Sequence, residues 1–140
     1  MDAGYVNNYS ASQARANIKD ILDATGSGRA VTVERDSRTS AVVDGERLRK
    51  HFASTVTTKP EAVMDDGAWV LTIPGLPIAV EANLYEEAIT ELVCALQEYA
   101  EDWHGRLGQA PNHAGNWSLV QLVELSTEEQ LKRWVTGHIE

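Results

Sequence analysis

Apolar residues recur at helical spacing in two parts of the chain. In the longer part, nine residues keep a 3.6-residue period, which predicts one amphipathic helix: Tyr85, Ala88, Ile89, Leu92, Val93, Leu96, Tyr99, Ala100 and Trp103. We expect Asn83 to cap it. Near the amino end, Ser10 and Gln13 form the S-x-x-Q pattern of a capping box, and a narrower apolar stripe follows. This stripe predicts a second helix that ends at Gly26 and Gly28.

Alternating apolar and polar residues predict strands elsewhere. AVTVERDS (30–37) and TSAVV (39–43) lie on either side of a polar turn and predict a hairpin, followed by a helix at ERLRKHF (46–52). AWVLTIPGLPIAVEA (68–82) predicts two more strands around the PGLP turn, because proline disfavours helix. The stretch 54–67 contains Pro60 and ends in Asp-Asp-Gly, so it is the predicted linker.

The carboxy-terminal part predicts short helices. Residues 117–125 fit either a helix or a strand, and we favour a helix. STEEQLKRWV (126–135) begins with a capping-box pattern, Ser126 to Glu129, and places Leu131 and Trp134 on one side of a helix. The predicted fold class is therefore α+β, with a small domain at 1–53 and a second module at 68–140.

The charge of the chain is unevenly distributed. The formal net charge is −9, but residues 1–59 carry nine Lys or Arg against seven Asp or Glu, a net of +2. Residues 60–140 carry three against fourteen, a net of −11. The division indicates two partners of different charge. The alternative for the acidic part is a helical surface that is only solvated.

The sequence contains no motif for phosphate binding, nucleophilic catalysis or metal binding. The chain has no Gly-rich phosphate loop, no nucleophile motif and no metal-ligand spacing among its four histidines, so we predict no catalytic residues, metal or cofactor. No apolar run approaches the roughly 20 residues that a membrane helix needs. A single cysteine, Cys94, and the lack of a visible secretion signal favour the cytoplasm.

The first third of the chain resembles the Phd/YefM antitoxin family. SASQARANIKDILD, AVTVERDSRTSAVV and ERLRKHF match that family's helix with the A-R-x-N motif, its hairpin and its small second helix, over about residues 4–53. The resemblance implies a homodimer, or a larger assembly, that binds operator DNA and represses its own operon. Asp44-Gly45 departs from the usual pattern, as does the unusually basic helix that follows.

The resemblance also implies a set of DNA-binding residues. Arg15 falls on the arginine of the A-R-x-N motif, Arg35 closes the first hairpin strand, and Arg38 lies in the turn. Ser10 and Ser12 begin a helix, where free N–H groups favour a phosphate, and Lys19 would flank the same surface. The alternative for Arg15 and Lys19 is local pairing with Asp20 and Asp23.

The second half is similar to HicB-type antitoxins over about residues 68–100, through its W-V-x-x-I-P-G-L-P hairpin and the helix that opens Y-E-E-A. This resemblance implies a module that binds a protein toxin, RelE/YoeB-like or another ribonuclease. Tryptophan is enriched at binding hot spots but is also an ordinary core residue. We predict Trp117, Leu125, Leu131 and Trp134 as toxin-binding residues, and Trp69 and Trp103 as core.

Three other functions fit the same sequence. One is a stand-alone transcriptional regulator whose second half binds a ligand or itself. Another is a protein-interaction module whose first domain no longer binds DNA. The third is an enzyme, which no residue pattern in the sequence indicates.

Overall fold

A computed structural model describes residues 7–137 of the chain. Two three-stranded sheets and six α-helices make up its regular structure, and this confirms the predicted α+β class. The chain divides into two compact units, and the boundary lies between Leu48 and Arg49. The predicted end of the first domain, residue 53, lies inside the helix Gly45–Thr55, which includes this boundary.

The first unit is a three-stranded sheet with helices on its connections. Its elements are β1 (Asn8–Ser10), α1 (Ala11–Ala16), α2 (Ile18–Gly26), β2 (Val31–Arg35) and β3 (Arg38–Val42), and α3 (Gly45–Thr55) begins in it. The sheet order is β1-β2-β3, with β1 parallel and β3 antiparallel to β2. Among the described residues of this unit, the fully or nearly buried side chains are Ile21, Thr25 and Val31, which form a small core.

The first predicted helix is two helices, because the chain breaks at Asn17. The capping box of Ser10 and Gln13 forms as predicted. At Asn17, the backbone N–H bonds to the carbonyl of Ala14, and the side-chain amide donates to the carbonyl of Gln13 at 2.8 Å. The side chain therefore takes the place of the backbone donor that would have continued the helix. The prediction of one continuous helix was wrong.

The predicted hairpin forms with a tighter turn than expected. Asp36 and Ser37 adopt φ of 49° and 64°, as in a two-residue type I′ turn. Arg38 therefore begins β3, directly opposite Arg35, and does not lie in the turn.

The second unit packs a long helix against an antiparallel sheet. It contains the end of α3, then β4 (Glu61–Asp65), β5 (Ala68–Ile73), β6 (Ile78–Ala82), α4 (Tyr85–Gly105), α5 (Trp117–Leu125) and α6 (Glu128–Val135), with 3₁₀ turns at Leu107–Gln109 and Ala114–Asn116. The sheet order is β4-β5-β6. Helix α4 contacts β5 and β6 and also α5 and α6, so its apolar stripe supplies much of the core.

Two features of this unit differ from the sequence-based expectation. The predicted linker, 54–67, contains β4, which pairs with β5 from Glu61–Thr72 to Asp65–Ala68. A five-residue segment with no apolar alternation of its own becomes a strand because β5 offers it a free edge. Helix α4 has the predicted extent, but its N-cap is Leu84 and no side chain caps it.

The carboxy-terminal helices settle two other expectations. Residues 117–125 form α5, which confirms the favoured interpretation. The capping box of α6 is formed by Thr127 and Gln130, one residue later than predicted from Ser126 and Glu129. Ser126 instead donates its hydroxyl to the carbonyl of Leu122 at 2.6 Å.

Candidate functional site

Polar and basic residues meet at one end of the first sheet. Ser10 ends β1 and lies opposite Glu34 of β2, one residue before Arg35. Arg35 lies opposite Arg38, the first residue of β3. Strand register therefore places the Ser10–Ser12 segment and both arginines at the same end of the sheet.

The register places two like charges, Arg35 and Arg38, directly opposite each other. Directly opposed like charges destabilise an antiparallel pair. Arg35 makes an ion pair with Asp36, with 3.5 Å between Nε and Oδ2, and both side chains are more than four-fifths exposed. Such an exposed pair contributes little, so the Arg35 guanidinium can turn to an anion in solution.

The amino end of α1 is a weaker anion site than predicted. Ser10 Oγ accepts from the N–H of Gln13 at 3.2 Å, and the side chain of Gln13 accepts from the N–H of Ser10. This leaves the N–H groups of Ala11 and Ser12 for a phosphate. Because the break at Asn17 limits α1 to six residues, its dipole is also short.

Arg15 and Lys19 lie on different helices. Lys19 pairs with Asp23 at 3.1 Å, as in the local alternative, and this hydrogen bond raises the pKa of Lys19. Both side chains are mostly exposed, so the pair is easily exchanged for another partner. Arg15, in the last turn of α1, makes no ion pair or hydrogen bond with the described residues.

Two of the predicted toxin-binding residues belong to the core of the second unit. Leu131 is fully buried and Trp134 is 2% exposed. The indole N–H of Trp134 donates to the carbonyl of Ala53 at 3.2 Å, and the Lys59 ammonium lies 4.7 Å from its ring centre. Neither residue is accessible to a partner, so their assignment to a binding surface is corrected. An amphipathic stripe has the same pattern whether its own chain or a partner covers it.

The other two predicted residues are accessible. Trp117 is 49% exposed at the start of α5 and packs edge-on against Phe52. Leu125 is 37% exposed at the end of the same helix. An aromatic ring held by one neighbour and open on its other side has the form of an interface anchor.

Helix α4 carries an acidic face that the sequence analysis did not single out. Its exposed carboxylates belong to Glu86, Glu87, Glu91, Glu98, Glu101 and Asp102, and the helix contains no Lys or Arg. Pairs of like charge at spacings of three or four residues destabilise an isolated helix. The signal was available in the sequence: no Lys or Arg occurs between Pro60 and Gly105, where ten residues are acidic.

A cleft lies along this acidic face, beside β6. Its volume is about 550 Å³, and its lining includes apolar residues of β6 together with Glu91, Glu98 and Asp102 of α4. Arg106 also lines it and pairs with Asp102 at 3.5 Å. The cleft is open and negatively charged, which suits a cationic group.

Among residues 7–137, no group of three or more His, Cys, Asp or Glu side chains is placed to hold a metal ion. No helix in this part of the chain is long and apolar enough to cross a membrane.

Fold and charge together define a two-unit α+β protein with a basic sheet end in its first unit and an acidic helix in its second. No family model and no curated protein matches the chain. A solved structure from Syntrophomonas wolfei subsp. wolfei, described as the antitoxin part of a proposed toxin/antitoxin system, is similar to it. The TM-score is 0.72 at 22% identity, over 92% of this chain and 96% of that one. The two proteins share a fold across nearly their whole lengths.

Proposed function

We propose that this protein is the antitoxin of a type II toxin–antitoxin system. It would neutralise a ribonuclease toxin and, as a dimer, repress its own operon by binding operator DNA. The observation that carries the proposal is the fold shared with the Syntrophomonas wolfei antitoxin over nearly the full length of both chains. The Phd/YefM-like and HicB-like sequence patterns support the same conclusion independently. Operator and toxin are both cytoplasmic, and the function needs no cofactor.

The proposed operator surface is the basic end of the first sheet. Ser10, Ser12, Arg35 and Arg38 lie at that end, and Arg15 is unpaired among the described residues. Arginine can contact guanine bidentately, whereas Lys19 would contact phosphate after leaving Asp23. A twofold dimer doubles each contact and matches a palindromic operator.

Dimerisation is supported by apolar residues that the first unit leaves open. Ile18 and Leu22 of α2 are 55% and 57% exposed, although they continue the stripe of buried Ile21. Full burial of such a side chain contributes about 1.5–3 kcal/mol. A second copy that covers them would enlarge the small core of this unit.

The proposed toxin-binding surface includes Trp117 and Leu125, together with the acidic face of α4. RNA-cleaving proteins that bind phosphate backbones carry basic surfaces, and a complementary acidic helix accelerates and orients their association. Leu131 and Trp134 support this surface from the core and do not touch the toxin.

The toxin half of the proposal is tested with the tagged full chain purified from its own host. We expect a basic protein that cleaves RNA once denaturant releases it, and whose cleavage stops when the chain is added back. Trp117→Ala should weaken this inhibition about thirtyfold or more if the ring is a hot spot, and Trp117→Phe should retain most of it. Recovery of promoter DNA without any such protein would favour the stand-alone regulator.

The DNA half is tested by the salt dependence of binding to the chain's own promoter. Each lost phosphate contact lowers the slope of log affinity against log salt by about 0.9. If Arg35 and Arg38 both contact phosphate in a dimer, the double alanine variant should lower the slope by about 3.6. Arg106→Ala is the charge control because it removes an exposed arginine from the second unit. An unchanged slope and affinity in the double variant would contradict this operator surface.

A further inference from the structure

Strand β4 forms an open edge of the second sheet. All five of its residues are exposed, and Val63 and Met64 are 57% and 58% exposed. Helix α4 packs against β5 and β6, and no described strand pairs with the outer side of β4. An exposed edge strand with apolar residues at its centre is a template for another strand.

The register identifies the backbone groups that face this edge. Asp66 and Gly67, with φ of 52° and 80°, form a two-residue type I′ turn between β4 and β5. The flanking residues Asp65 and Ala68 therefore exchange hydrogen bonds, and bonded pairs alternate with non-bonded ones along the ladder. Consequently Ala62 and Met64 turn their N–H and C=O groups outward.

Apolar side chains lie next to the open edge of β4. Met64 lies directly opposite Trp69, so both are on the sheet face that α4 covers. Trp69 contacts Tyr85, with ring centres 5.1 Å apart, and Tyr85 is itself 38% exposed. A strand added to β4 would lay its side chains beside Met64 and toward this aromatic pair.

Charge decides what kind of strand fits. Antiparallel pairing of two copies about Val63 would set Glu61 opposite Asp65 twice, which is destabilising. No residue of β4 itself is Lys or Arg, so nothing within the strand relieves this repulsion. A strand with apolar residues at its centre and Lys or Arg at its ends complements both features.

We propose that β4 receives a strand of the toxin, with apolar residues between basic ones, as an added fourth strand of the sheet. This inference rests on the proposed function for the identity of the partner. Main-chain hydrogen bonds to Ala62 and Met64 would hold the strand, and Glu61 and Asp65 would select its charge.

Hydrogen exchange of the full chain, free and bound to the RNA-cleaving protein that it inhibits, tests the proposal directly. The amides of Ala62 and Met64 should exchange rapidly in the free chain and at least about tenfold more slowly in the complex. The inward-facing amide of Val63 serves as the internal reference. If both outward amides exchange equally fast in the two states, strand addition is wrong while the toxin-binding function stands.

Substitutions provide a second test. Ala62→Pro removes an outward N–H without breaking the ladder to β5, and should weaken toxin binding about tenfold or more. Ala62→Ser keeps the N–H and should bind as the unchanged chain does. Glu61→Lys with Asp65→Lys leaves the backbone intact and should also weaken binding about tenfold. The position of the tryptophan fluorescence transition verifies that each variant is folded.

Three further results would overturn the proposal. If Ala62→Pro changes the mass of the chain in the absence of toxin, the edge pairs with a second copy and the proposal is overturned. Equal toxin affinities for Ala62→Pro and Ala62→Ser would overturn it too. If the full chain captures and inhibits no RNA-cleaving protein, the proposed function fails, and this inference fails with it.

Discussion

Replacing Leu131 with alanine tests whether the last helix supports the second unit or binds a partner. Leu131 is fully buried in α6, and its removal leaves a cavity between packed helices. Leucine-to-alanine changes at such positions cost about 2–5 kcal/mol. Leu125→Ala is the matched control, because the same atoms are removed six residues away from a side chain that is 37% exposed. It should cost about 1 kcal/mol or less.

Tryptophan fluorescence during urea unfolding measures both variants in the relevant unit. All four tryptophans, at positions 69, 103, 117 and 134, lie in the second unit, so the signal reports on that unit alone. A loss of about 3 kcal/mol should lower the melting temperature by about 12–24 °C in a domain of this size. The dependence of unfolding free energy on urea should stay unchanged, because the folded unit remains compact.

A core role for Leu131 is contradicted if Leu131→Ala costs no more stability than Leu125→Ala. Unchanged stability together with weaker toxin binding in Leu131→Ala would identify Leu131 as a contact residue. An effect on toxin binding that appears only where the variant unfolds agrees with a core role.

Three further substitutions test local features. Gly28→Ala should destabilise the first unit by about 1 kcal/mol or more, because Gly28 has φ of 100° and an added Cβ would meet the Arg47 guanidinium. Gly26→Ala, inside α2 with open space around it, should be neutral or stabilising, and hydrogen exchange of β2 measures both variants. Thr127→Ala should lower the free energy of unfolding in urea by about 1 kcal/mol and Thr127→Ser by much less, since only alanine removes the side-chain cap of α6. Equal losses in the two variants would contradict this cap. Tyr99→Phe should lower the free energy of unfolding by about 1–3 kcal/mol, because the Tyr99 hydroxyl lies 2.7 Å from a ring nitrogen of His113 and accepts from Asn116. No measurable change would mean that water takes the place of the hydroxyl.

Local residue patterns were sufficient to predict most of the secondary structure. The long stripe from Tyr85 to Trp103 predicts α4 because nine apolar residues at one period leave little room for another structure. The PGLP turn and the alternating residues around it predict β5 and β6. The capping box at Ser10 and Gln13 was also predictable, since its hydrogen bonds join residues only three apart.

Other features depended on contacts between distant parts of the chain. Strand β4 has no alternation of apolar and polar residues, and it is a strand because β5 pairs with it. The break at Asn17 depends on which of two donors, the side-chain amide or the backbone N–H, reaches Gln13, and the residue types alone do not decide this.

The candidate site shows the same division. The sequence alone determined that residues 60–105 carry ten acidic residues and no Lys or Arg, and that nine Lys or Arg precede them, because charge is a property of composition. Tertiary structure alone decided that Arg35 and Arg38 face each other across a hairpin, and that Trp134 is enclosed while Trp117 is open. Both tryptophans lie on short helices, and the residue types alone do not show which ring is enclosed. An apolar stripe specifies that something must cover it, but only the packing of the whole chain determines which stripes are covered from within.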